Sequence, residues 1–151
     1  MRLDVKPSFA NLLLWKVIYE VDDGYYTDAV RAGNALKVYP GEFSEKLNVA
    51  RDLPWLKPGS QQARDLNRFA WFSRGFLALD PNDPLRVVDM RYSLVPNEGT
   101  GMWSIGFTPG ADSDAHVNIR PERDLSAGKR RIFRALLRGR SLQTSGTPIA
   151  D

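Results

Sequence analysis

The chain contains no cysteine and one histidine, His116. Disulfides, thiolate metal sites and a cysteine nucleophile are therefore excluded, as are zinc or iron centres built on several histidines. Apolar runs are no longer than Leu12–Trp15, far below the ~20 residues that span a bilayer. The N-terminus shows no basic segment followed by an apolar core, so no export signal is read there. No serine sits in a Gly-x-Ser-x-Gly turn, and Gly99-Thr100-Gly101 lacks the further glycine and lysine of a phosphate loop. What is present is a chain of 151 residues, 42% hydrophobic and 11% aromatic. That length suits one domain, which buries roughly 70% of the surface its unfolded chain exposes.

Charge is unevenly placed. Lys129, Arg130, Arg131, Arg134, Arg138 and Arg140 lie in a stretch without an acid, whereas residues 1–128 hold 15 basic and 17 acidic side chains. The net charge of +3 thus comes from one segment. A nearly neutral body argues against a nucleic-acid groove running across the domain.

Leu12 to Glu20 is dense in β-formers, with Leu13, Trp15, Val17 and Tyr19 on one face at period two. Asp22-Asp23-Gly24 follows, so residues 12–32 read as a hairpin. Leu36–Tyr39 adds a short third strand. Leu47, Ala50 and Leu53 give Phe43–Leu53 helical spacing that Pro54 ends. Ser60 caps the clearest helix, which stops near Arg74-Gly75. Phe76–Leu79 and Arg86–Tyr92 read as strands around the turn Asp80–Pro84, and Met102–Thr108 and Ala115–Ile119 as further strands. Ser126 caps a final helix to Arg138, ended by Gly139. Together these predict an α+β domain over residues 7–140, a mostly antiparallel sheet of about five to seven strands with two or three helices. Residues 141–151 read as a disordered tail.

The chemistry is sparse. Asp112, Asp114, His116 and Asn118 alternate, but a calcium loop begun at Asp112 would place Val117 and Arg123 where glycine and an acid are needed. Asp112, Asp114 and His116 share a face if the stretch is a strand, which makes them a candidate metal set. Following Pro109-Gly110, the stretch reads better as a solvated loop around a non-ligand histidine. In Arg86–Tyr92, Asp89 and Arg91 share a strand face with Val87. They form charge pairs with neighbouring strands, or line a pocket where the planar arginine fork meets a carboxylate or phosphate. Trp71, Phe72, Arg74 and Phe76 offer either core aromatics or an aromatic-plus-arginine platform. Arg74, Asp89, Arg91 and Trp71 are accordingly the candidates for an anion site or charge network.

The last helix sets Ile132, Phe133, Leu136 and Leu137 against its basic residues. Three roles fit it: packing on the sheet with solvated arginines, lying on an anionic membrane through Lys129, Arg130, Arg131, Arg134 and Arg138, or binding nucleic acid. The near-neutral body makes the last the poorest fit.

Three segments in order carry a resemblance. Pro7-Ser8-Phe9-Ala10-Asn11-Leu12-Leu13-Leu14-Trp15-Lys16-Val17-Ile18 resembles a Pro…Asn-x-Leu-x-Trp-Arg/Lys-Val segment. Arg68-Phe69-Ala70-Trp71-Phe72-Ser73-Arg74-Gly75-Phe76 is similar to Arg-Phe-x-Trp-Phe-(Ser/Thr)-x-Gly-Phe. Val87-Val88-Asp89-Met90-Arg91-Tyr92 resembles a Val-x-Asp-Leu-Arg-Phe/Met strand. These belong to the soluble C-terminal region of the YdjM-type, LexA-regulated, membrane-bound metal-dependent hydrolases of bacterial inner membranes, and the agreement runs over residues 7–107. The resemblance implies that metal and catalysis reside in an N-terminal multi-helix membrane domain carrying His and Asp ligands. None of that part is in this sequence, so no family catalytic residue carries over to it and no cofactor is expected in this chain. It further implies a periplasmic position at the inner membrane, with the membrane domain of the same polypeptide as partner. The expectation is an accessory domain, non-catalytic alone, that covers or gates the membrane part or recognises an anionic group such as a phospholipid head. A stand-alone hydrolase and a surface-binding module are the alternatives.

Overall fold

Asp22 and Asp23 turn the chain between β2 (Leu14–Val21) and β3 (Gly24–Ala32), which pair antiparallel from Leu14↔Arg31 to Val21↔Gly24. In this computed structural model, which describes residues 2–8, 11–121 and 126–140, the hairpin is the centre of a five-stranded sheet. β1 (Leu3–Pro7) adds to β2, while β4 (Leu36–Tyr39) and β5 (Phe43–Glu45) both pair with β3. After a one-turn α1 (Val49–Asp52) and α2 (Gln61–Phe72) comes a second antiparallel sheet. It runs β6 (Leu77–Asp80), β7 (Asp83–Asp89), β8 (Trp103–Gly106) and β9 (Asn118–Pro121) in that order, and α3 (Ala127–Leu137) closes the described chain. The fold is α+β, as the pattern of elements predicts.

The two sheets face one another through Ile18 and Tyr25 of the first and Phe76, Ala78, Val88 and Met90 of the second region. The far side of the second sheet, with Leu77, Val87 and Ile105, packs on Leu66 of α2 and on Leu53. α3 seats Leu136 on Leu14, Ala29, Tyr39 and Val95, on the same inner face of the first sheet. The layers are therefore α2, second sheet, first sheet, and the outer face of the first sheet carries no layer among the described residues. That outer face is built from Leu3, Val5 and Pro7 on β1 and Trp15, Val17 and Tyr19 on β2. Val21 at the end of β2, Gly24, Tyr26, Asp28, Val30 and Ala32 on β3, Leu36 and Val38 on β4, and Phe43 and Glu45 on β5 complete it.

Several boundaries differ from the sequence reading. Phe43–Leu53 is not one helix: Phe43–Glu45 is a strand, and only Val49–Asp52 is helical. Cross-strand contact outweighs helical spacing there, because the Phe43 ring packs 5.1 Å from that of Tyr26. β7 starts at Asp83, since the Asp80 carboxylate accepts the Asn82 N–H at 2.9 Å and tightens the turn. It ends at Asp89, where the expected strand ran on to Tyr92. The last strand is Asn118–Pro121, not Ala115–Ile119. β1 has no counterpart in the sequence reading and extends the domain to Leu3, before the expected boundary at residue 7. The expected tail, 141–151, lies outside the described residues.

Caps fall where the sequence puts them. The Ser60 hydroxyl accepts the Ala63 N–H at 3.3 Å, and Ser126 does the same for Lys129. Ser60→Ala is expected to lower stability by about 1 kcal/mol, read as a lower urea midpoint at unchanged slope. At the other end of α2, Arg74 and Gly75 take φ of 53° and 75°, the left-handed pair that stops a helix. Close approach also requires glycine at 41, where a Cβ would stand 1.6 Å from the Thr27 carbonyl oxygen.

Candidate functional site

A buried charged pair forms where β7 runs out. Asp89, its last residue, is fully buried, and Arg91 is 5% exposed. The chain turns at Met90, whose N–H donates to the Phe76 carbonyl, so Arg91 folds back on Asp89. The guanidinium forks onto the carboxylate, Nε to Oδ1 at 2.9 Å and Nη2 to Oδ2 at 2.7 Å, and the Arg91 N–H also donates to Oδ1. This hydrogen bonding holds the Arg91 guanidinium above its ordinary range against the opposing effect of burial. The Phe72 and Tyr92 rings flank it at 5.4 and 5.3 Å. The sequence reading offered these two residues to neighbouring strands or to a pocket; the structure joins them to each other instead. The arginine fork, offered above to an external anion, is filled by Asp89.

Beside this pair lies Lys16, which the sequence reading did not single out. It occupies the inward series Leu14, Lys16, Ile18 of β2 and is 2% exposed. Its Nζ donates to the Ser93 hydroxyl at 3.0 Å and the Glu98 carbonyl at 3.1 Å. Burial pushes its pKa down to about 7, with the charges of Glu98, Asp89 and Glu42 opposing. A lysine poised near neutrality against a serine hydroxyl suggests a nucleophile and base. Ser93, however, is buried and donates its own proton to the Val95 carbonyl at 2.7 Å. The arrangement ties residues 93–98 to β2. The signal for Lys16 in the sequence is its place in an alternating strand, one charge between two leucine-type positions.

The remaining candidates are dispersed. Trp71 is 85% exposed and Arg74 is exposed at the end of α2, where its carbonyl accepts from Arg2 Nη1 at 2.6 Å. Neither joins the Asp89–Arg91 pair; Phe72 is the α2 aromatic that does. Phe76 is core, with the Arg2 guanidinium 4.1 Å over its ring.

His116 finds its carboxylate on α2. Its Nδ1 stands 2.8 Å from Asp65 Oδ2, which also accepts the Val117 N–H at 3.2 Å. Burial raises the Asp65 pKa, but hydrogen bonds from Gln61, His116 and Val117 outweigh it and leave the carboxyl below its usual range. Asp112 and Asp114 lie exposed in the loop before β9, not on a strand. Among the described residues no three His, Asp or Glu side chains cluster for a metal, so Asp112, Asp114 and His116 do not fit one. No step through a metal is derived from this chain.

α3 divides sharply. Leu136 is buried, and Ile132, Phe133 and Leu137 pack against the same cluster, so the apolar side that a membrane-lying helix would insert is occupied by the sheet. Arg31 Nε donates to the Leu137 carbonyl at 2.8 Å, and Lys37 Nζ to the Gly139 carbonyl, both cations at the negative end of the helix. Lys129 stands apart from the other basic residues, 3.6 Å from Glu98. Arg130, Arg131, Arg134, Arg138 and Arg140 are exposed and line one open hollow of about 580 Å³. A second hollow, of about 620 Å³, is bordered by Glu42, Asp80, Asp83 and Glu98. Arg86 lies against Asp80 at 3.4 Å, and Glu42 accepts the Gly99 N–H at 2.9 Å.

None of the described helices is long and apolar enough to cross a membrane. No family model, curated protein or solved structure matches the chain.

Proposed function

We propose that the chain is a non-catalytic accessory domain of a YdjM-type membrane-bound metal-dependent hydrolase, held beside an anionic lipid surface by the basic face of α3. The observation that carries this reading is the division of α3, whose apolar side is anchored on the sheet while five arginines surround one open hollow. Such a face attracts lipid phosphates without inserting, at about 1 kcal/mol per basic residue near the surface.

The accessory role draws support from what the resembling segments do here. The Asn11 side-chain Oδ1 accepts the N–H groups of Leu13 and Leu14 at 3.0 and 2.7 Å, and Trp15 Nε1 donates to the Leu12 carbonyl at 2.9 Å, which fixes the entry to β2. Arg74-Gly75 ends α2, and Asp89 and Arg91 neutralise each other. These residues are engaged in holding the fold, and catalysis is left to the membrane part.

Co-sedimentation with phosphatidylglycerol-rich vesicles tests the reading. Binding is expected to weaken with added salt, and Arg130→Gln/Arg131→Gln/Arg134→Gln to weaken it on the order of 100-fold. Binding that ignores both salt and the triple variant overturns the lipid role. Turnover of phosphodiesters or esters by the chain with Zn²⁺ or Mn²⁺, surviving His116→Ala, overturns the accessory role.

A further inference from the structure

We propose that the outer face of the five-stranded sheet is the interface of a homodimer, two copies stacking this face against itself. Antiparallel sheets that meet water alternate polar residues outward. This one does not. Its sixteen outward strand positions between Leu3 and Glu45 include two charged side chains, Asp28 in the middle and Glu45 at the β5 end, where Arg51 of α1 pairs with it at 2.8 Å. Tyr19 stacks on Tyr26 at 5.6 Å and the Phe43 ring meets Tyr26 tilted at 5.1 Å, while Val38 is 56% exposed at the β4 edge. The inward series of the same strands carries Lys16, Thr27 and the core aromatics, so the apolar outer series is not a core facing the wrong way. It is a second apolar surface.

Asp28 makes no demand on a partner. Its Oδ1 accepts the Gly41 N–H at 3.0 Å, and its carboxylate also takes a hydrogen bond from the Tyr19 side chain. An occupant therefore need supply no compensating charge, only apolar area. Extended apolar patches of this kind mark interfaces. Five strands at about 4.8 Å spacing, up to nine residues long at about 3.3 Å, give a face of roughly 500 Å² in projection. Its corrugated accessible surface is larger, on the order of the ~800 Å² per partner of a stable interface.

A second copy fits this face better than lipid does. None of its outward strand positions is a cation that would attract an anionic headgroup. α3 packs on the opposite, inner side of the sheet, so a domain resting its arginines on a membrane, if that reading holds, turns this face away from it. Two such faces stack about 10 Å apart in the aligned manner of sandwiches, and a two-fold axis makes the patch self-complementary. The inference does not depend on the lipid reading and is tested apart from it.

Light scattering behind size exclusion, over a dilution series without lipid, decides the matter. The expected particle is roughly 34 kDa, twice the 17.0 kDa chain. Val17→Lys places an ammonium opposite Asp28, its cross-strand partner, which suits the free sheet and not the stacked one. Val38→Lys does the same at the edge. Each, folded by circular dichroism, is expected to raise the dimer dissociation constant at least about 30-fold. A 17-kDa wild-type particle at every concentration overturns the proposal. So does a dimer indifferent to both variants, or a monomer that floats with neutral vesicles and loses that binding on Val38→Lys.

Discussion

Asp89→Asn is expected to destabilise the domain by about 3–5 kcal/mol, because it leaves the Arg91 guanidinium buried without its counter-charge. The carboxylate accepts both guanidinium bonds and the Arg91 backbone N–H, so one substitution weakens the pair and the turn that returns the chain from β7. Asparagine keeps the shape and one acceptor, which isolates the charge. Urea unfolding of Asp89→Asn, Arg91→Met and the Asp89→Asn/Arg91→Met double variant forms a cycle. The double variant is expected to cost less than the two singles added, since removing both charges removes the uncompensated one. A loss below about 1 kcal/mol in Asp89→Asn, the scale of an exposed pair, would show that this pair does not hold the turn.

Asp89 and Arg91 were legible as a charged strand end because the signal is local, two opposite charges among apolar neighbours; that they pair with each other and not with neighbouring strands was not, because the turn at Met90 that folds Arg91 back is set by the Phe76 carbonyl. The hairpin at Asp22–Gly24 and the Ser60 cap were legible for the same reason, since turn and cap chemistry is set within four residues. The burial of β2 and β3 was not. Leu13, Trp15, Val17 and Tyr19 form the more apolar series, yet the series that meets the second sheet is Leu14, Lys16 and Ile18. What permits that choice lies 77 and 82 positions away, in the Ser93 hydroxyl and the Glu98 carbonyl that receive the Lys16 ammonium. His116 is a parallel case. Its nearby acids Asp112 and Asp114 suggested a metal, while its actual partner, Asp65, stands on a helix 51 residues earlier. Local pattern located the elements and the charged strand end; long-range hydrogen bonds decided which faces the elements bury.

Lys16→Met is expected to change the pH dependence of stability more than any other single substitution in the core. The lysine has a folded pKa of about 7 against an ordinary 10.5. Between those values the unfolded chain holds a proton that the folded chain has released, so the Lys16 contribution to stability rises with pH across that window. Below pH 7 both states are protonated, and the full cost of burying the ammonium remains. Methionine fills similar volume and does not titrate. Its variant should therefore stand best relative to the native chain at pH 6 and lose ground above pH 7, by up to about 1.4 kcal/mol per pH unit. From pH 6 to pH 9 the difference in unfolding free energy should move by about 2–3 kcal/mol in favour of the native chain. The orphaned Glu98 carbonyl adds a cost of about 1–3 kcal/mol to the variant at every pH; it shifts the curve without tilting it. The tilt is therefore the diagnostic quantity, measured by urea midpoints at half-unit steps. Parallel profiles for the two proteins would mean that Lys16 keeps its proton up to the alkaline range, and that the Ser93 and Glu98 acceptors with the surrounding carboxylates fully offset its burial.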